Sequence, residues 1–231
     1  MKVVILAAGK GIRMLPLTEK IPKVLIEVNG KPFLYHLMDH LLKAGYTKFG
    51  LVVGYKKEMI AEFLKKHNFN AKLIEQKEQL GTGHALLQAE EYIAGEDFIV
   101  LGGDNLWGVE DLKEINKDDD FNYISGVKVE NPEKYGVLVE EEGFLMRIKE
   151  KPKDFHGYLI NTGLYKFKNS VFNILHNVTP SARGEIELTC AIDVLAKSGK
   201  FKVIKILTYW KDLGCLDDIE PLSHFLKEIN R

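Results

Sequence analysis

The first 104 residues alternate short apolar, β-branched runs with amphipathic stretches, and this alternation constrains the fold more than any other feature of the chain. Residues 3–7 (Val3-Val4-Ile5-Leu6-Ala7), 49–53, 72–75 and 98–101 read as strands. The first is apolar at every position, as a strand covered on both faces must be. Helices are expected from Pro32 to Gly45, over 58–66 and over 83–93. Pro32 can open a helix because its missing N–H costs nothing in the first turn. Leu34, Leu37, Met38, Leu41 and Leu42 recur at helical spacing and define one apolar face, which puts His36 and His40 on the other. A βαβαβ order of this kind implies a parallel, doubly wound sheet that takes its ligands at the carboxyl ends of the strands.

The texture changes after Asp104. Residues 121–129, 136–140, 144–150 and 158–167 read as strands separated by turn residues, an antiparallel extension of the sheet. A helix over 186–197, a strand over 202–207 and a helix over 217–229 follow. No linker, repeat or low-complexity tract divides the chain, so a single domain over residues 1–231 is expected, with Asp118-Asp119-Asp120 as a solvated turn.

Composition then excludes several classes. With 45% apolar residues the chain can build a core, and 32 basic against 33 acidic side chains give no global pull toward nucleic acid or an anionic membrane. Cys190 and Cys215 form neither a disulfide framework nor a cysteine zinc site. The apolar run at 3–8 falls far short of the ~20 residues that span a bilayer. The expectation is a soluble cytoplasmic protein without nucleic-acid or membrane partners, for which self-association is left open.

Any anion recognised here must therefore meet a local cluster of donors. The segment after the first strand, Ala7-Ala8-Gly9-Lys10-Gly11-Ile12-Arg13-Met14-Leu15-Pro16, supplies glycines that let backbone amides approach an anion. It is not a dinucleotide fingerprint, because Met14 and Pro16 stand where a third glycine should open a helix. Nor is it a P-loop, since Lys10, Lys31 and Lys200 are followed by Gly, Pro and Phe rather than Ser or Thr. What remains is an irregular loop with Arg13 and Lys23, a guanidinium fork and a point charge suited to a triphosphate. A tight turn with solvated basic residues would have the same composition.

Three further places carry chemistry. Gln76 offers a donor and an acceptor side by side, matching the N3–H and O4 edge of uracil or thymine, and Gly81 would let backbone approach the base. A strand-end glutamine before a glycine-rich helix start can equally be structural, and His84 reads as a packing residue. Asp104, at a strand's carboxyl end, is a natural Mg²⁺ ligand beside phosphates, or else a turn cap, with Asp212 as the second carboxylate. Lys151 could meet a sugar phosphate, and Glu150 and Asn161 could bond sugar hydroxyls. His36 and His40 have zinc spacing without a third ligand nearby, and neither a Ser-His-Asp elbow nor HExxH occurs.

The string Leu6-Ala7-Ala8-Gly9-Lys10-Gly11-Ile12-Arg13-Met14, continued by Pro16-Leu17-Thr18 and Pro22-Lys23-Val24-Leu25, resembles the signature of sugar-1-phosphate nucleotidylyltransferases. Gln76 with Leu80-Gly81-Thr82-Gly83 resembles the base-reading segment of the uridylyl and thymidylyl branches. Gly103-Asp104-Asn105 and Trp210-Lys211-Asp212-Leu213-Gly214 resemble the metal-binding segments. Tyr135-Gly136-Val137, Glu150-Lys151-Pro152 and Asn161-Thr162-Gly163 resemble those that line the sugar pocket. Arg183-Gly184-Glu185-Ile186-Glu187-Leu188-Thr189 also resembles a family segment, but Cys190 replaces an expected Asp and no role is carried over.

The resemblance implies a Rossmann-like α/β fold, a mixed and mainly parallel sheet flanked by helices with an antiparallel sugar-binding extension. It implies that a nucleoside triphosphate and a sugar 1-phosphate give an NDP-sugar and pyrophosphate with Mg²⁺. Leu6, Ala7, Ala8, Gly9, Gly11, Gln76, Gly81, Thr82 and Asp104 would bind the nucleotide, and Gly136, Glu150, Lys151 and Asn161 the sugar phosphate. Arg13 would take the β- and γ-phosphates, Lys23 the α-phosphate and sugar phosphate, and Asp104 and Asp212 the metal. UTP or dTTP with glucose 1-phosphate is favoured, and N-acetylglucosamine 1-phosphate is next. Cytidylyl transfer to phosphocholine or another phosphate acceptor, and a silent nucleotide-sugar sensor that regulates a partner, are the alternatives. With the sequence ending at Arg231, the acetyltransferase β-helix of some members is not expected.

Overall fold

The structure, a computed structural model, describes residues 1–181 and 184–229. The chain runs β1 (Lys2–Ala7), β2 (Glu27–Val28), β3 (Lys31–Pro32), α1 (Phe33–Lys43), β4 (Lys48–Val53), α2 (Lys57–Lys66), β5 (Ala71–Glu75), α3 (Thr82–Leu87) and α4 (Glu90–Ile93). It continues through β6 (Phe98–Gly102), β7 (Asn105–Trp107), α5 (Val109–Glu114), β8 (Asn122–Lys128), β9 (Gly136–Glu141), β10 (Phe144–Glu150) and β11 (Leu159–Phe167). The last elements are α6 (Val171–Leu175), α7 (Leu188–Ala196), β12 (Phe201–Lys205), β13 (Trp210–Asp212) and α8 (Ile219–Ile229).

Among the described residues one nine-stranded sheet carries the fold, in the order β5-β4-β1-β6-β11-β8-β12-β10-β9. β5, β4, β1 and β6 are parallel, as the alternation of strand and helix requires. β11 runs antiparallel to both β6 and β8, so the second half continues the same sheet rather than standing apart from it. β12 is parallel to β8, and the β9–β10 hairpin closes the far edge.

Strand alternation places the core on both faces. Val3 and Ile5 pack with Leu34, Leu37, Ile60, Leu112 and Leu226, while Val4, between them, packs with Leu86, Ile93, Phe172 and Ile192. All three β1 residues are fully buried, and each such side chain contributes about 1.5–3 kcal/mol relative to exposure. The uninterrupted apolar run in β1 thus has its physical cause in a helix layer on either side.

Several local expectations are corrected. The helix expected over 83–93 is two, α3 and α4, separated at Gln88-Ala89. Leu42 is exposed rather than part of the packed face of α1. Asp119 is no free acid of a solvated turn: it accepts from the Tyr123 hydroxyl and pairs with the buried Lys166. His36 and His40 are buried, not on a solvent face, because α1 is covered on that side as well. The His36 Nε2–H donates to the Val28 carbonyl at 2.8 Å, and the His40 Nδ1–H donates to the Trp107 carbonyl at 2.9 Å.

Burial lowers the pKa of both histidines from the usual 6.5, so each is held neutral. A lowered folded-state pKa means that the unfolded chain takes up protons first, so the stability held above pH 6.5 drains away as pH falls below it. The thermal midpoint should therefore drop between pH 7.5 and 5.5 by more in the wild type than in a His36→Gln/His40→Gln variant. Equal pH slopes in differential scanning calorimetry would contradict this assignment.

Candidate active site

The loop after β1 is pinned by short-range contacts. Gly11 adopts φ +66°, and a Cβ there would lie 2.9 Å from the Lys23 Cβ, so glycine is required where the lysine stem passes beneath the loop. The Thr18 hydroxyl donates to the Gly11 carbonyl at 2.9 Å and closes the turn. Lys23, its side chain only 11% exposed, runs on to place Nζ 2.6 Å from Oδ2 of Asp104. The Gly103 N–H meanwhile donates to the Leu6 carbonyl at 2.9 Å, tying the ends of β1 and β6 together.

A small antiparallel ladder delivers the second carboxylate. β7 and β13 pair with Asp212 opposite Asn105, and the Leu213 N–H donates to the Asp104 carbonyl at 2.9 Å. Asn105 donates through Nδ2 to Asp104 Oδ1 at 2.8 Å and accepts from the Trp210 indole N–H at 2.9 Å. The loop after Asp212 is held by Asp218, whose Oδ2 accepts from Gly214 N and Cys215 N at 2.7 Å each. Burial, and after it the Asp104 charge, push the Asp212 carboxyl up to about 6, against the pull of Lys23 and Arg13.

That raised carboxyl tests the fit of a metal. A buried carboxylate disfavoured by a second carboxylate is relieved by a divalent cation, and Mg²⁺ takes one or two carboxylates with phosphate oxygens completing its shell. Asp104 and Asp212 fit that description as a pair. Among the described residues no group of three or more His, Cys, Asp or Glu is arranged to hold a metal by itself.

Gln76, which lines the same cavity, is buried, and its Nε2 donates to the Gly81 carbonyl at 3.2 Å and lies 3.0 Å from His84 Nδ1. Gly81 has φ +104°, and a Cβ there would stand 2.5 Å from the Ile186 carbonyl oxygen. The glycine is thus demanded by residues 185–188 crossing over it. Ile186 donates to the Leu80 carbonyl at 2.7 Å, and Thr82 Oγ1 accepts from the Leu188 N–H at 3.0 Å at the start of α7.

On the remaining side β9 and β10 place Gly136 opposite Glu150, where a Cβ on Gly136 would meet Glu150 Oε2 at 3.0 Å. Asn161 donates through Nδ2 to the Tyr165 hydroxyl at 2.7 Å and accepts from the Gly163 N–H at 2.9 Å, across an irregularity in β11. Lys151 is exposed, with φ 41° and its N–H on the Tyr135 carbonyl.

These elements enclose one cavity of about 590 Å³, within the range of small-molecule sites. Its wall contains Leu6, Ala7, Ala8, Gly9, Gly11, Arg13, Lys23, Gln76, Gly81, Thr82, Asp104 and Glu150, so the residues expected at the nucleotide converge. Asn161 reaches the wall through Tyr165 and Asp212 through its neighbour Gly214, while Gly136 and Lys151 do not line it. Tyr165, Gln79, Glu185, Glu187 and Thr189 line it without having been singled out by role. The segment holding the last three was recognised by its pattern alone; its first residue, Arg183, lies outside the described residues, and Cys190 lines a separate cavity.

A family model described as nucleotidyl transferase matches residues 2–229. The chain is 42% identical over 231 residues to the bifunctional protein GlmU of Methanococcus aeolicus, covering 99% of this chain and 55% of that relative, so it spans about half its length. It is 38% identical over 238 residues to the UTP–glucose-1-phosphate uridylyltransferase AglF of Haloferax volcanii, covering 99% of this chain and 97% of the relative. A solved structure from Bacillus anthracis, assigned as a glucose-1-phosphate thymidylyltransferase in complex with a sucrose, superposes with a TM-score of 0.90 at 26% identity over 100% of this chain and 97% of its own. With a βαβ frame, a glycine loop at the end of β1 and a family match over nearly every residue, this chain belongs to the nucleotidyl transferase family.

Proposed function

We propose that this protein transfers a nucleotidyl group from UTP or dTTP to a sugar 1-phosphate, giving an NDP-sugar and pyrophosphate. The observation that carries the reading is the convergence of Arg13, Lys23 and Asp104 on a cavity that Gln76 also lines. Glucose 1-phosphate is the favoured acceptor, supported by the activity named for the Haloferax relative, with N-acetylglucosamine 1-phosphate next.

The chemistry suits this site. An oxygen of the sugar phosphate attacks the α-phosphorus while the bond from that phosphorus to the α–β bridging oxygen breaks, and pyrophosphate leaves with the bonding electron pair. The nucleophile is already an anion, so no general base is required; the obstacle is repulsion between phosphates. Positioning and charge neutralisation must therefore lower the barrier. Lys23 bridges the α-phosphate and the incoming phosphate, Arg13 takes the leaving phosphates, and Lys151, next in the chain to Glu150, meets the sugar phosphate. Asp104 and Asp212 would hold Mg²⁺, which supplies further neutralisation when bound. Glu150 and Asn161 bond sugar hydroxyls, and Gln76 reads the base.

Pyrophosphate release across a matrix of nucleoside triphosphates and sugar 1-phosphates tests the reading. Release should need both substrates and be fastest with UTP or dTTP; release from a triphosphate alone, or none with any sugar 1-phosphate, refutes transfer. Asp104→Asn and Asp212→Asn should each lower turnover about 100-fold or more. Mg²⁺ with UTP should raise the thermal midpoint of the wild type and not of Asp212→Asn, and an equal rise in both would remove Asp212 from metal binding.

A further inference from the structure

We propose that His84 is a positioning residue that fixes the carboxamide of Gln76 with its oxygen toward the cavity, and so selects a base bearing an N–H in its pairing edge. This rests on the reading of Gln76 as the base-contacting residue. The Gly81 carbonyl can only accept, so the Gln76 side-chain atom 3.2 Å from it must be the amide nitrogen. That same nitrogen lies 3.0 Å from His84 Nδ1, while the Gln88 amide nitrogen lies 3.3 Å from Nε2. A neutral ring accepts at only one nitrogen, and the shorter contact assigns Nδ1 as the acceptor of the second Gln76 amide hydrogen and puts the ring proton on Nε2.

Both donors of the amide are thus taken by the protein. Among the described residues its oxygen Oε1 has no hydrogen-bond partner, yet it is not among the buried unpaired atoms, so it opens onto the cavity that Gln76 lines. The donor-and-acceptor pair expected from the residue type is reduced by its surroundings to an acceptor alone. Uracil and thymine present N3–H to such an oxygen; cytosine presents a bare N3, whose lone pair would face another. A turned amide would reverse that preference, and the His84 ring is what opposes the turn together with Gly81.

The backbone that carries the ring is itself anchored. Gly83 N and His84 N lie 2.8 and 3.3 Å from the Ile186 carbonyl, and the Gln88 amide nitrogen donates to the His84 carbonyl at 3.1 Å. The segment crossing Gly81 therefore holds the residue that orients Gln76, which links the geometry of residues 185–188 to base choice.

The test compares kcat/KM for UTP and CTP, at saturating sugar 1-phosphate, in the wild type, Gln76→Leu and His84→Leu. His84→Leu should lower the UTP:CTP ratio about tenfold, the loss falling on KM for UTP more than on kcat, since a hydrogen-bonding site loses discrimination when its partner is misaligned. An unchanged ratio in His84→Leu, with a collapsed ratio in Gln76→Leu, overturns the role of His84 and leaves the base reading intact. An unchanged ratio in Gln76→Leu overturns the base reading itself. A long-range ¹H–¹⁵N spectrum of the wild-type histidines decides the matter even if His84→Leu fails to fold: an unprotonated Nδ1 supports the proposal, and a protonated Nδ1 contradicts it.

Discussion

The contact between Lys23 and Asp104 organises this molecule. Its 2.6 Å separation joins the loop that follows β1 to the turn that follows β6, bridging 81 residues of sequence. The lysine is nearly buried and the aspartate about one-third exposed, so the pair loses hydration and is held by geometry as much as by attraction. The need for glycine at 11, the Thr18 turn and the Gly103–Leu6 hydrogen bond all serve that one approach. Were the lysine stem displaced, the glycine loop would lose its floor.

Around the pair, the chain concentrates charge of both signs. Arg13, Lys23, Asp104 and Asp218 all act on Asp212, in a protein whose overall charge is only −1. Beside Gln76 the groups are an amide, an imidazole and backbone carbonyls with Glu185 next to Gly81, and on the Asn161 side an amide and a phenol with Glu150. A local cluster of basic groups can gather phosphates while the hydrogen-bonding groups around it discriminate what hangs from them.

Much of this arrangement was legible in the residues. β-Branched runs and helical spacing reveal the parallel half, because both patterns record burial within a few neighbours. The glycine loop and its basic residues are local as well, which is why their convergence could be anticipated. The β7–β13 ladder could not be, since each partner has three residues and about one hundred separate them. His36 and His40 were misplaced for a similar reason: the cover on that side of α1 comes from Val28 and Trp107, remote partners that helical periodicity does not encode. Gly81 carries a glycine signal, yet what demands it is the Ile186 carbonyl, more than one hundred residues away. Gln76 shows the limit most clearly, for its residue type gives a donor and an acceptor, and only its neighbours decide which one remains.

The central claim is that one cavity places a nucleotide's base against Gln76 and its phosphates between Arg13, Lys23 and the two carboxylates. A crystal structure of this protein with UDP-glucose and Mg²⁺ measures that arrangement directly. The account predicts the uracil N3–H on Gln76 Oε1, the diphosphate beside Lys23, and the metal on Asp104 and Asp212. A uracil bound away from Gln76, or a diphosphate that touches neither basic residue, would contradict it.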